Sequence, residues 1–227
     1  MSDTVMNART LTIPAPPTDC PTCPRLAEFR HANGNKFPSY HNAPVPSFGP
    51  TDARLMIVGL APGLHGANQT GRPFTGDYAG DLLYATLVKF GFATGTYAKH
   101  RDDGLSLSDC RITNAVRCVP PQNKPETVEI ANCRPYLDGE LTTLPKLRAI
   151  LALGLIAHKS TLATLGFKQS AFAFKHNAAH PVGDEDAPLT LFNSYHCSRY
   201  NTNTGRLTTE MFEDVFRHIR QVLDSAG

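Results

Sequence analysis

Tryptophan is absent from the 227 residues, and methionine occurs only four times. No apolar run reaches the ~18 residues that a membrane-spanning helix needs, which excludes a helical membrane anchor. An excess of charge of one sign is lacking too, with a formal net charge of +2. That balance neither demands nor excludes a nucleic-acid partner, and a DNA-binding chain of this kind must gather its cations on one face. The opening MSDTVMNARTLTIPAPPTD has no apolar h-region, so no secretory leader is read there and the cytoplasm is the expected compartment. Internal repeats and low-complexity tracts are also missing.

What is present is ordinary for a globular protein, 41% hydrophobic and 19% charged. The length suits one domain, read as residues 18–227 behind a flexible tail at residues 1–17. Six cysteines without an export signal read as metal ligands or free thiols rather than disulfides.

Four apolar runs predict strands, at 54–60, 110–117, 148–153 and 189–195. Between them the pattern predicts helices over about 80–90, from 125 with a kink or break at Pro135, over 154–166 and over 208–223. A first helix follows Cys23 and runs to Phe29, and residues 31–53, 93–109 and 167–188 read as irregular connection. Strands alternating with helices imply right-handed crossovers and a mainly parallel four-stranded sheet in a three-layer α/β/α sandwich. The connection from Ala61 to Gly80 is too long to be idle. It leaves the C-terminal end of a strand, as do Asn114–Pro121 and His196–Arg206, so the three stretches should meet in one crevice.

Within those stretches lie GLAPGLHGANQTGRPFTGDYAGDLL, ITNAVRCVPPQNKP and HCSRYNTNTGRLT. Together they resemble the motifs of the uracil-DNA glycosylase superfamily, and more narrowly its family 5, or type B, branch, from Cys20 to the final helix. Family 4 shares GRPF but carries Glu where this chain has Leu60, and it lacks the HGAN and FTGD pieces. The resemblance implies the glycosylase fold and a base-excision repair enzyme that flips damaged nucleotides and hydrolyses their N-glycosidic bond. It implies uracil as substrate together with hypoxanthine and xanthine. The expected partner is damaged DNA, double- and single-stranded, bound by a monomer without membrane contact.

Side-chain chemistry supports separate roles. Asn114 carries a donor and an acceptor side by side, matching the carbonyl and ring N–H of uracil. Cytosine would leave that amide unpaired, a discrimination of about 1–3 kcal/mol per group. Hypoxanthine shows the same edge, so pocket volume must decide its fate. Phe74 matches the aromatic that stacks on the base, and Asp77, in FTGD, is the acid expected nearest the sugar, where positive charge develops. His196 matches the histidine that donates to the leaving base, although Cys197 stands where the family has Pro. Gly59, Ala61 and Gly63 are expected to turn under the sugar, with His65 and Asn68 orienting water or base. Ser198, Arg199, Thr204 and Arg206 suit phosphate contact in a loop that fills the gap left by the extruded base. No Lys in the three motifs is read as a Schiff-base nucleophile, which implies a monofunctional enzyme leaving an abasic site. Standing alone, Asn114 would read as a strand-end cap, Asp77 as a turn residue and Phe74 as core.

Cys20, Cys23, Cys118 and Cys133 match the family's cluster ligands, implying a [4Fe–4S] cluster. By chemistry alone, four thiolates serve zinc equally well. Three alternatives accompany the leading reading: a family 4-like enzyme restricted to uracil, a non-catalytic Fe–S DNA-binding module, and a zinc-stabilised domain with a small-molecule site.

Overall fold

The apolar runs form the middle of the molecule, and the two faces of those strands decide where each helix packs. The computed structural model describes residues 13–225. Helix α1 (Pro24–Lys36) precedes strand β1 (Leu55–Gly59). The long connection then holds a single turn, α2 (Ala67–Thr70), before α3 (Tyr78–Lys89). A small antiparallel ribbon, β2 (Ala93–Thr94) with β3 (Ser106–Leu107), leads into β4 (Cys110–Asn114). There follow α4 (Thr127–Thr143), β5 (Ala149–Leu153), α5 (Leu155–Thr164) and β6 (Ala179–Pro181). The chain closes with β7 (Thr190–Ser194), the short α6 (Arg199–Asn203) and α7 (Thr209–Ser225). No helix among the described residues is long and apolar enough to cross a membrane.

The main sheet has the order β4-β1-β5-β7-β6, parallel except for β6. Every residue of β1 and β5 is buried, as expected for strands covered on both faces. Leu55 and Ile57 join α3 and α7 in one core, while Met56 and Val58 join α4 and α5 in the other. Period-two alternation thus builds three layers from one strand.

The sheet has five strands rather than the expected four. β6 lies in the stretch read as irregular, because Ala-His-Pro carries no strand signal. Pro181 cannot donate to a ladder and is tolerated at an edge, which is where β6 pairs with β7. α1 runs past Phe29 to Lys36 through the weak helix formers HANGN, held by burial of Arg30 and Asn33. β4 stops at Asn114 rather than Arg117, and α4 passes Pro135 as one element. Thr208 caps α7 as expected, its hydroxyl accepting from the Met211 N–H at 3.1 Å. The expected tail at residues 1–17 falls largely outside the described residues.

One buried ion pair fastens the long connection to the residues before β3. Arg72 is 4% exposed. Its guanidinium donates to both Asp103 oxygens, at 2.8 and 2.7 Å, and to the Thr75 hydroxyl at 2.7 Å. The Phe48 and Tyr84 rings lie 5.2 and 5.5 Å from it. Hydrogen bonding from Arg72 holds the Asp103 carboxyl far below its ordinary value of 3.8. The pair therefore contributes stability above that value, lost as pH falls below it. Asp103→Ala leaves the guanidinium buried and unpaired, and should lower stability by about 3–5 kcal/mol in urea unfolding at pH 7.

Candidate active site

Strand pairing puts the first two functional positions side by side, since Gly59 at the end of β1 is opposite Asn114 at the end of β4. Asn114 is 3% exposed, and among the described residues its amide has no hydrogen-bond partner. A Cβ on Gly59 would sit 2.3 Å from the Asn114 Oδ1 and 2.6 Å from the Phe74 ring. Glycine is therefore what lets amide and ring close over the strand end. Phe74 has φ of +54°, a left-handed backbone rarely adopted by an aromatic residue. Tyr97 holds that kink, its hydroxyl donating to the Phe74 carbonyl and accepting from the Gly76 N–H, both at 3.2 Å.

Asp77 is the N-cap residue of α3, yet its side chain makes no cap bond. The carboxylate turns back onto the first loop instead. A Cβ on Gly66 would lie 2.0 Å from its Cγ, and the Ala67 N–H donates to it. Burial pushes the Asp77 pKa up, against smaller opposing effects from that N–H and from His65. His196 follows β7, with its ring 6.0 Å from Phe74, centroid to centroid, and inclined by 30°. Its carbonyl accepts from the Asn201 amide at 2.8 Å, which fixes the turn that Cys197 occupies. Burial lowers the His196 pKa below 6.5, so the ring is neutral at pH 7.

These groups line a cavity of about 460 Å³. Ala61, Gly63, Phe74 and Asp77 come from the first stretch, Asn114 from the second, and His196, Ser198 and Arg199 from the third. A flat aromatic face, an unpaired amide, a neutral imidazole and a desolvated carboxylate thus converge. They can hold a planar hydrogen-bonding ring, donate to its carbonyl and stabilise positive charge beside it.

Other expected residues lie elsewhere. Gly59 is beneath the cavity. Asn68 is fully buried and donates to the Asn42 Oδ1 at 3.0 Å. His65 is exposed against Phe37, with the Tyr40 hydroxyl 3.0 Å from its Nδ1. Thr204 donates to the Tyr200 carbonyl at 2.8 Å, closing α6. Arg206 covers the Tyr195 ring at 4.7 Å in an adjoining groove. Sequence reasoning missed Tyr78, Asn123 and Tyr200. Tyr78 and Asn123 line the cavity, and Arg199 lies 5.2 Å from the Tyr78 ring. Tyr200 is 71% exposed on α6. The turn-forming PPQN could have flagged Asn123, and an aromatic inside a polar loop could have flagged Tyr200.

Cys20, Cys23, Cys118 and Cys133 border a second, narrow cavity between α1, α4 and the chain after β4. Three of the four sulfurs accept N–H bonds. Arg30 donates to Cys118 at 3.4 Å, the Arg117 backbone to Cys133 at 3.4 Å, and Asn132 to Cys23 at 3.6 Å. Arg25 ties the two halves of this region together, donating to Glu129 at 2.8 and 2.7 Å. Among the described residues no three His, Cys, Asp or Glu side chains close around a single ion. Cys110 and Cys197 are buried elsewhere as free thiols.

The family described as the Uracil DNA glycosylase superfamily matches this chain over residues 46–220. A type-5 uracil-DNA glycosylase of Thermus thermophilus is 42% identical over 210 residues, covering 90% of this chain and 94% of that protein. A type-5 uracil-DNA glycosylase of Pyrobaculum aerophilum is 40% identical over 203 residues, covering 88% and 87%. A type-4 uracil-DNA glycosylase of Sulfurisphaera tokodaii is 31% identical over 175 residues, covering 75% and 72%.

Gly66→Ala puts a methyl group into the Asp77 carboxylate. It should cost about 1–3 kcal/mol in thermal or urea unfolding, as overpacking does.

Proposed function

The chain belongs to the type-5 branch of the uracil-DNA glycosylase superfamily and is a DNA glycosylase, and we propose that it removes uracil, hypoxanthine and xanthine from DNA by hydrolysis. It acts as a monomer on double- and single-stranded DNA and leaves an abasic site. The observation that carries this reading is the unpaired Asn114 amide, set at the end of β4 in one cavity with Phe74 and His196.

The damaged nucleotide leaves the stack and its base enters this cavity, against the Phe74 face. Asn114 accepts from the ring N–H and donates to the neighbouring carbonyl. A volume of about 460 Å³ lies within the ~300–1,000 Å³ of small-molecule sites and leaves room for a purine. As the bond between C1′ and the base nitrogen breaks, its electron pair leaves with the base. The His196 N–H, uncharged beforehand, donates to the base carbonyl where that negative charge gathers. The Asp77 carboxylate faces the positive charge on the sugar and orients the water that adds its oxygen to C1′, and the proton that this water gives up neutralises the departed base anion. Among the described residues no Lys lines the cavity, in keeping with water rather than an amine as the nucleophile. Arg199 and Ser198 at the rim suit phosphate contact, and Tyr200, beside them on α6, fills the gap in the stack.

Cys20, Cys23, Cys118 and Cys133 would hold a [4Fe–4S] cluster, whose bonds to the thiolates would clamp the segment before α1 to α4. The convergence of four sulfurs on one cavity supports this, as do the N–H donors aimed at three of them. Zinc would need all four closed around one point at ~2.3 Å.

Duplexes carrying uracil, hypoxanthine or xanthine, nicked with alkali after incubation, test the substrate range. All three should be released; cleavage of uracil alone would leave a narrow, type-4-like enzyme in its place. His196→Ala should lower kcat by about 10²–10³. Asp77 must be ionised, and burial raises its pKa above 3.8, so the acid limb of kcat/KM should lie above that value. Asp77→Asn should abolish the limb along with most of the rate, while DNA retention in gel-shift assays persists.

A further inference from the structure

Arg30 is a buried cation with no carboxylate partner among the described residues. It is 3% exposed on α1 and turned into the cysteine cavity. Its Nη1 donates to the Cys118 sulfur at 3.4 Å and its Nη2 to the Cys20 carbonyl at 3.1 Å. The other two deeply buried arginines each have a carboxylate, Arg72 with Asp103 at 2.7 Å and Arg117 with Glu140 at 3.1 Å. Among the described residues no acid stands within ion-pair distance of Arg30. A guanidinium taken out of water needs an anion, and the groups gathered around this one are thiols.

We propose that Arg30 is the counter-charge of the cysteine-held cluster, placed to set its reduction potential as well as its retention. The proposal rests on the [4Fe–4S] reading above. Four thiolates outweigh the positive charge of an iron–sulfur core, so the assembly is anionic. Net charge, hydrogen bonds to sulfur and exposure set its potential. The Asn132 side chain and the Arg117 backbone give neutral N–H bonds, whereas Arg30 brings a full charge into direct contact. A fixed cation beside the cluster favours the state with one more electron. Because Arg30 also grips the Cys20 carbonyl, it joins the CxxC turn to the Cys118 loop, and one side chain touches both halves of the ligand set.

The test compares the full-length wild-type chain with Arg30→Lys, Arg30→Gln and Arg30→Met, all reconstituted anaerobically with iron and sulfide, without DNA. Iron per chain, visible absorption and the midpoint potential from spectroelectrochemical titration are read. Wild type and Arg30→Lys should agree. Arg30→Gln and Arg30→Met should shift to lower potential, changing the reduced-to-oxidised ratio at least tenfold at a fixed applied potential, or 59 mV for one electron. Should Arg30→Met fail to fold, Gln against Lys decides, because both donate and only one is charged. Unchanged potentials in iron-loaded Gln and Met variants would overturn the proposal while leaving the cluster intact. A wild-type chain that takes up no iron would overturn the cofactor reading and this proposal with it.

Discussion

The register of β4 against β1 is the constraint on which the site depends. It sets Asn114 opposite Gly59 on the face shared with α3 and α7, and the missing Cβ of Gly59 gives the Phe74 ring its place. Side chains alternate along a strand, so a slip of one residue would present Thr113 there and turn Asn114 into the opposite layer. Burial resists such a slip, since Cys110 and Ile112 fill one core while Thr113 meets Ser47 at 2.9 Å on the other side. Hydrophobic patterning thereby aims a polar side chain. The amide can stay unpaired at the strand end because the rest of its strand holds it there.

Desolvation supplies the site's electrostatics. The same burial keeps His196 neutral and makes Asp77 a costly, weakly solvated carboxylate. Both states suit the N-glycosidic cleavage proposed for this cavity, which would build opposite charges on base and sugar. The strained backbone at Phe74 is part of that preorganisation. It is held from behind by Tyr97 and by the Arg72–Asp103 pair, residues that never reach the cavity. On the far side of the chain after β4, the cysteines and Arg30 brace the stretch that leads from Asn114 to Asn123.

Much of the cavity lining could be read along the chain. Asp77, Asn114 and His196 each follow a strand signal within a stretch whose motif is distinctive. Parallel strands put their C-terminal ends along one edge, so convergence of the three was a matter of topology. Contacts between distant segments could not be read this way. Tyr78 meets Arg199 across the rim, and Asn68 turns to Asn42 rather than the cavity. β6 has no pattern of its own and exists because β7 offers it an edge.

Periodicity and motif spacing by themselves determined the layers, four of the five strands of the main sheet and the residue types gathered at one sheet edge, because side-chain direction follows locally from backbone geometry. Tertiary structure alone decided which of the motif residues reach the cavity. Phe74 and Asp77 do, while His65 and Asn68, from the same loop, do not. Twenty residues of loop can place a side chain almost anywhere, and the placement is settled by partners far away in sequence. The Ala61–Gly80 connection is shaped by Arg72 gripping Asp103, by Tyr97 on Phe74, and by the space at Gly66 that receives the Asp77 carboxylate.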